Sequence, residues 1–220
     1  MGFFLICKNS FFITGTDTGV GKTLVSAILA KKYNAHYYKP IQCGRNRSGD
    51  KDSDVVLNIF KDVSVIKETY FFKNPLSPNI AAKKEHIKIE ISQFLKVDKI
   101  DYPIVIEGAG GLQVPIDEKI LMSDLINHFN LPTILVSRTQ LGTINHTLMS
   151  IDIIKKKKIN LAGIIFSGDE NKETISTIMR FGEKIYGKEI NLISIIPFLK
   201  TINSDTLQQI DVNLKNINEK

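Results

Sequence analysis

At 220 residues, 43% apolar and 24% charged, the chain has the size of one α/β domain with a full core and the composition of a soluble globule. Its apolar runs fall far short of the roughly 20 residues of a membrane span, and a net charge of +6 is a mild bias towards anionic ligands such as nucleotides, weak evidence for nucleic acid. Two cysteines, Cys7 and Cys43, exclude a disulfide framework, and four scattered histidines, His36, His86, His128 and His146, offer no zinc-binding spacing.

Residues 1–8 are apolar but too short, and lack leading basic residues, for a signal peptide. They read as an N-terminal extension or edge segment, and the expected compartment is the reducing cytosol. The apolar run 11–15 predicts a strand, then a polar glycine loop, then a helix over 21–33. Residues 36–39 read as a short strand stopped by Pro40, and 41–52 as polar and flexible. Ser53 is the expected cap of a helix through Val55, Val56, Leu57 and Phe60. A short strand is expected at 68–72, a helix from Ser77 or Asn79, and a further helix over 91–97. Buried strands follow at 103–111, 132–136, 161–166 and 190–196, alternating with helices at 123–130, 143–156 and 171–186. The tail from 204 begins as a helix and becomes polar.

No repeat or linker divides the chain, so 1–220 is expected to be one domain. The strands are continuous apolar runs, the pattern of a doubly wound, mainly parallel sheet covered by helices on both faces. In such sheets ligands bind beyond the carboxyl ends of the strands. The conspicuous polar residues cluster at those ends.

The first of these ends carries Thr14-Gly-Thr-Asp-Thr-Gly-Val-Gly-Lys-Thr23. Strand, glycine loop, Lys-Thr and helix are the layout of a P-loop. Gly19 and Gly21 let backbone N–H groups approach phosphate oxygens, and the following helix aims its positive dipole end at them. Lys22 would neutralise β- and γ-phosphate charge, and the Thr23 hydroxyl would hold Mg²⁺. The first glycine is displaced: Gly15 stands one residue before the usual position, which Thr16 occupies. Glu107 ends an apolar strand opposite this loop, where a second Mg²⁺ anchor is usual. Asp54 starts a helix, where an acid is favoured with or without a metal. Lys39 ends the second strand, either solvated or aimed at developing negative charge. Gly142-Thr-Ile-Asn145 opens a helix after a buried strand. It reads as an anion site or as ordinary capping by Thr143.

From 11 to 200 the chain resembles the dethiobiotin synthetase family. Its motifs are the loop above, Tyr38-Lys-Pro40, Pro75-Leu-Ser-Pro78, Glu107-Gly-Ala-Gly-Gly111, Leu141-Gly-Thr-Ile-Asn-His146 and Ile196-Pro-Phe-Leu199. The displaced glycine is the family's own form of the loop. The resemblance implies a P-loop NTPase-like fold and a reaction joining 7,8-diaminopelargonic acid and CO₂ at the expense of ATP. The product is dethiobiotin, reached through a carbamate and a carbamic–phosphoric anhydride. It implies Lys39 and Lys22 as catalytic and Thr23, Asp54 and Glu107 as Mg²⁺ ligands. Nucleotide contacts fall to Gly19, Val20, Gly21, Lys22, Thr23, Leu24, Asp54, Glu107, Gly108, Ala109, Gly110, Ser167, Pro197, Phe198 and Leu199. Substrate contacts fall to Thr18, Lys39, Cys43, Leu141, Gly142, Thr143, Ile144 and Asn145. The resemblance further implies that the helix start at 141–145 is supplied by the other subunit of a homodimer.

The chain departs from the family at two places. Cys43 stands where a Ser or Thr is usual, and a thiol is a poorer donor. Ser167-Gly168 replaces an Asn-Asp pair whose Asn reads adenine, which predicts weakened base discrimination. Two rivals share the fold class. A cobyrinate-type amidase needs a glutaminase domain, for which the length leaves no room. A partitioning-type switch ATPase carries an extra Lys early in its loop, and residues 14–18 contain none.

Overall fold

The computed structural model describes residues 8–212 and 214. Readings of residues 1–7, including Cys7, and of the end of the tail lie outside the described residues.

Nine strands and seven helices are described. β1 (Phe11–Gly15), α1 (Lys22–Lys32), β2 (His36–Tyr38), β3 (Ile41–Cys43) and α2 (Asp52–Ile59) come first. Next are β4 (Val65–Ile66), β5 (Tyr70–Phe72), α3 (Pro78–Lys84), β6 (Ile104–Gly111), α4 (Met122–Phe129) and β7 (Thr133–Arg138). The last are α5 (Thr143–Lys156), β8 (Leu161–Ser167), α6 (Lys172–Tyr186), β9 (Leu192–Ile196) and α7 (Ser204–Gln208). Seven strands form one sheet in the order β4-β2-β6-β1-β7-β8-β9, every pairing parallel. β3 and β5 pair in parallel as a second, two-stranded sheet.

The main sheet has a covered face on each side because its apolar residues run without interruption. Phe11, Ile13, Val105, Ile134, Val136 and Ile165 point to one face, where α1 covers them with Val25, Ile28 and Leu29. Phe12, Ile106, Leu135, Ile164 and Phe166 point to the other, against Phe129 of α4, Ile151 of α5 and Ile178 of α6. Burying each such side chain stabilises the fold by about 1.5–3 kcal/mol. Parallel pairing puts every carboxyl end on one rim. The rim therefore gathers the P-loop, Lys39, Glu107, the 137–145 turn, Ser167 and the 197–199 segment.

The structure departs from expectation in four places. Residues 41–43 form a buried strand, not a flexible stretch; three residues with a central Gln give no periodicity to read. The expected strand at 68–72 begins only at Tyr70, and β4 precedes it. The expected helix over 91–97 is two single 3₁₀ turns, Ile91–Gln93 and Val97–Lys99. Between them Phe94 is extended, which carries its ring into contact with Tyr70 and Phe129. Lys51, not Ser53, precedes α2, and the Asp54 carboxylate accepts the Lys51 backbone N–H at 2.9 Å.

Candidate active site

Gly19 and Gly21 have φ of +69° and +101°, a region open to glycine at little cost, and Gly21 hands the loop to α1. The displaced Gly15 has a steric reason. A Cβ there would lie 2.7 Å from Val20 Cγ2, so Gly15 lets the buried Val20 fold under the loop. Lys22 spans the loop and donates to the Asp17 carbonyl at 2.7 Å. Burial pulls its pKa down to about 8; Lys39 adds to the fall, and Glu107, Asp52 and Asp17 oppose it. Arg138, at the end of β7, donates to the Thr18 carbonyl at 2.6 Å and lies 3.9 Å from the Asp17 carboxylate. Sequence reasoning did not single out Arg138; its signal is a lone charge closing an apolar strand.

The register of the sheet builds the centre of the site. Ile13 pairs with Glu107, and Tyr38 pairs with Ile106, so Lys39 emerges beside Glu107. Glu107 Oε1 accepts from Thr23 Oγ1 at 3.0 Å and from Lys39 Nζ at 2.9 Å. Its Oε2 accepts from the buried Tyr37 hydroxyl at 2.8 Å. Lys39 Nζ also donates to the Gly108 carbonyl at 3.1 Å and meets Asp52 Oδ2 at 2.7 Å. Burial alone would lower the Lys39 pKa; Glu107 and Asp52 outweigh it and hold the ammonium charged well above its ordinary range. Burial would likewise raise the Asp52 carboxyl, but the Lys39 charge and hydrogen bond keep it below the usual value.

Asp52, not Asp54, is therefore the acid of this cluster. The Asp54 carboxylate points away from the cavities, bonded to the Lys51 N–H and lying 3.4 Å from Arg45. The two acids are adjacent alternatives in Asp52-Ser-Asp54, and only the helix start distinguishes them. Starting α2 at Asp52 turns that residue inward and puts Asp54 at the third helical position, where its carboxylate reaches back to the N–H of the cap residue Lys51.

Two cavities meet at this cluster. One, of about 530 Å³, is lined by Gly19, Gly21, Lys22, Thr23, Leu24, Glu107 and Ser167, and further out by Val55, Ile59, Pro197, Phe198, Leu199 and Ile202. The other, of about 490 Å³, is lined by Ile41, Gln42, Cys43, Ala109, Val114 and the Pro75–Pro78 strap. Thr18, Lys39, Asp52 and Gly110 line both. Burial pushes the Cys43 thiol up to about 11, so it is a neutral wall group. Gly44 (φ +73°) lets the strap pass close, since a Cβ there would meet the Pro75 backbone within 2.8 Å. Ser167 packs against the loop: a Cβ on Gly21 would fall 2.8 Å from its Oγ. Leu141, Gly142, Thr143, Ile144 and Asn145 line neither cavity. The Leu141 side chain is fully exposed at the N-terminus of α5, while the Thr143 hydroxyl is buried on the Arg138 carbonyl at 2.7 Å.

A family model described as "AAA domain" matches residues 9–206. The chain is 40% identical over 200 residues to the ATP-dependent dethiobiotin synthetase BioD of Lawsonia intracellularis, spanning 91% of this chain and 93% of that protein. It is 44% identical over 181 residues to the protein of the same name from Christiangramia forsetii, spanning 82% and 86%. Among solved structures it resembles the ParA family ATPase of Chlorobium tepidum (TM-score 0.51, 17% identity, 91% of this chain and 97% of that one). It also resembles the MinC:MinD cell division complex of Aquifex aeolicus (TM-score 0.53, 15% identity, 92% and 86%). These two share the P-loop NTPase fold and nothing closer. The motifs, the site and identities of this size over nearly the whole length agree: the chain belongs to the ATP-dependent dethiobiotin synthetase family.

Proposed function

We propose that the chain carries out its family's reaction at the junction of the two cavities, with the triphosphate on the P-loop side and 7,8-diaminopelargonic acid on the Cys43 side. The observation that carries this reading is Lys39, a buried cation facing both cavities at their shared wall. The reaction joins a carbamate, formed from one substrate amine and CO₂, to the γ-phosphorus of ATP. Both partners are anions, and concentrated, pre-positioned positive charge offsets their repulsion. A carbamate oxygen forms the new bond to phosphorus as the bond to ADP breaks. The second amine then attacks the carbamate carbon, phosphate departs with that oxygen, and the cyclic urea closes as the amine loses its proton.

In this reading Lys22 and the Gly19–Leu24 backbone hold the β- and γ-phosphates, with Gly108, Ala109 and Gly110 opposite. Lys39 binds the carbamate side. Thr23, Asp52 and Glu107 would hold Mg²⁺: a hydroxyl and two carboxylates are the hard oxygen donors this ion takes, and Thr23 and Glu107 already touch. Mg²⁺ supplies charge neutralisation on the phosphates. Val55, Ile59, Pro197, Phe198 and Leu199 offer the base an apolar slot. The exposed helix start at 141–145 would complete the substrate cavity of a second copy in a homodimer, binding the substrate carboxylate with free N–H groups. A cytoplasmic setting fits; no described helix is long and apolar enough to cross a membrane.

The test is direct. Enzyme supplied with diaminopelargonate, bicarbonate, Mg²⁺ and ATP should yield dethiobiotin by mass spectrometry, one ADP per product. ATP cleavage without that mass rejects the reading.

A further inference from the structure

Glu68 lies outside both cavities, yet its carboxylate is 4% exposed and fully engaged. Lys51 Nζ donates to both of its oxygens, at 3.0 and 3.1 Å, and the Ser53 hydroxyl donates to Oε1 at 2.5 Å. Lys51 and Ser53 flank Asp52. A third contact pins Asp52 itself: its backbone N–H donates to Gln42 Oε1 at 3.2 Å, and the Gln42 amide is anchored in turn on the Gly44 carbonyl. A single buried acid thus grips the residue on each side of the one that meets Lys39.

Glu68 is itself rigidly placed. β4 pairs with β2, ending at Tyr38 opposite Ile66, and β5 pairs with β3, beginning at Ile41 opposite Tyr70. The segment between, residues 67–69, is therefore held alongside Lys39 and Pro40. The Tyr70 N–H donates to the Pro40 carbonyl at 3.0 Å, and Thr69 meets the Tyr38 hydroxyl. The strand that delivers Lys39 and the turn that delivers Glu68 are one rigid unit.

We infer that Glu68 is a positioning residue that sets the Asp52 carboxylate on Lys39, acting through Lys51 and Ser53 rather than on substrate. Without it, the side chains of Lys51 and Ser53 lose their shared anchor, and the first turn of α2 keeps only the Asp54 contact to the Lys51 N–H and the Gln42 contact to the Asp52 N–H. Asp52 then loses its fixed direction, and Lys39 loses the second of its two carboxylate partners. Burying an acid beside the site without exposing it to ligand is costly unless paired, and its pairing is spent on the two neighbours of Asp52.

This inference rests on the reading that Lys39 and Asp52 serve dethiobiotin formation, and the wild-type product assay tests that reading separately. The experiment for Glu68 is a double-mutant cycle on product formation with Glu68→Gln and Asp52→Asn, each also measured for melting temperature and KM for ATP. Glu68→Gln should lower kcat by about tenfold or more, as loss of an orienting partner does, with KM for ATP within about twofold. In the Asp52→Asn background the same change should have less than about a twofold effect, because the group it orients is gone. Ser53→Ala and Lys51→Met, which remove one arm each, should act in the same direction and carry the cycle if Glu68→Gln does not fold. Equal effects of Glu68→Gln in both backgrounds, or an unchanged kcat, would overturn the inference. A wild type that makes no dethiobiotin would instead sink the proposed function.

Discussion

Lys39 has three N–H groups and three partners: Glu107, Asp52 and the Gly108 carbonyl. A carbamate oxygen that reaches it must displace one of them, and the Gly108 contact is the longest at 3.1 Å. Lys39→Gln should lower kcat by about 10²- to 10³-fold, the size of effect seen when one preorganised charge-stabilising donor is removed. ATP affinity by calorimetric titration should change far less, because the proposed phosphate contacts are those of Lys22 and the loop; the reverse pattern would remove Lys39 from its role. Where the base is proposed to lie, the cavity wall of Val55, Ile59, Pro197, Phe198, Leu199 and Ile202 is apolar, and the polar neighbour is Ser167, whose hydroxyl lies against Gly21. A lone hydroxyl there cannot make a two-point contact with adenine. Steady-state rates with ATP and with other nucleoside triphosphates should be similar, and a strong preference for ATP would refute this. The placement of Lys22, Thr23 and Glu107 around one cavity was legible because strand, loop and helix order fixes where they stand. Asp52 was not. Two acids two residues apart both fit a helix start, and the sequence does not give the residue at which α2 begins, a start that contacts through Glu68 and Gln42 hold in place.

Among the elements, the long apolar strands and helices could be read directly, since burial on both faces leaves no polar position to blur them. The short ones could not: β3, β4 and β5 have two or three residues, too few for a period, and exist because they pair with one another and with β2. Helix α4 shows what local chemistry adds. Asp124 accepts the Leu121 N–H at 2.9 Å and the Lys157 ammonium at 2.8 Å, tying the start of α4 to the end of α5. The Lys157 hydrogen bond holds this carboxyl below its ordinary value against the opposing effect of burial, and the Leu121 N–H adds to the depression. A depressed acid stabilises the fold above its unfolded pKa, near 3.8, and that contribution is lost as pH falls through the folded value. Asp124→Ala should therefore cost about 1 kcal/mol at neutral pH, a fall of about 2–4 °C in melting temperature. The gap between variant and wild type should narrow below about pH 4. A gap independent of pH would show that the carboxylate charge contributes nothing.

Across the whole molecule, parallel pairing brings every strand's carboxyl end to one rim, and the order β2-β6-β1 sets Lys39, Glu107 and the P-loop side by side. The helix start at 141–145 follows β7 on that rim but lines neither cavity, and the Leu141 side chain is fully exposed. If that tip completes the substrate cavity of a second copy, Leu141→Asp should convert a dimer to a monomer in sedimentation. It should also raise KM for diaminopelargonate while leaving ATP binding intact. A variant that stays dimeric with an unchanged KM would remove the tip from the substrate site.

The proposed reaction drives a carbamate oxygen onto the γ-phosphorus where the two cavities share Lys39. The most direct measurement follows that oxygen. With freshly dissolved ¹⁸O-labelled CO₂, diaminopelargonate and unlabelled ATP, the released phosphate should carry one ¹⁸O and the dethiobiotin carbonyl should carry the other. Phosphate containing only unlabelled oxygen, with dethiobiotin still formed, would mean that the γ-phosphoryl group went to water and never to the carbamate.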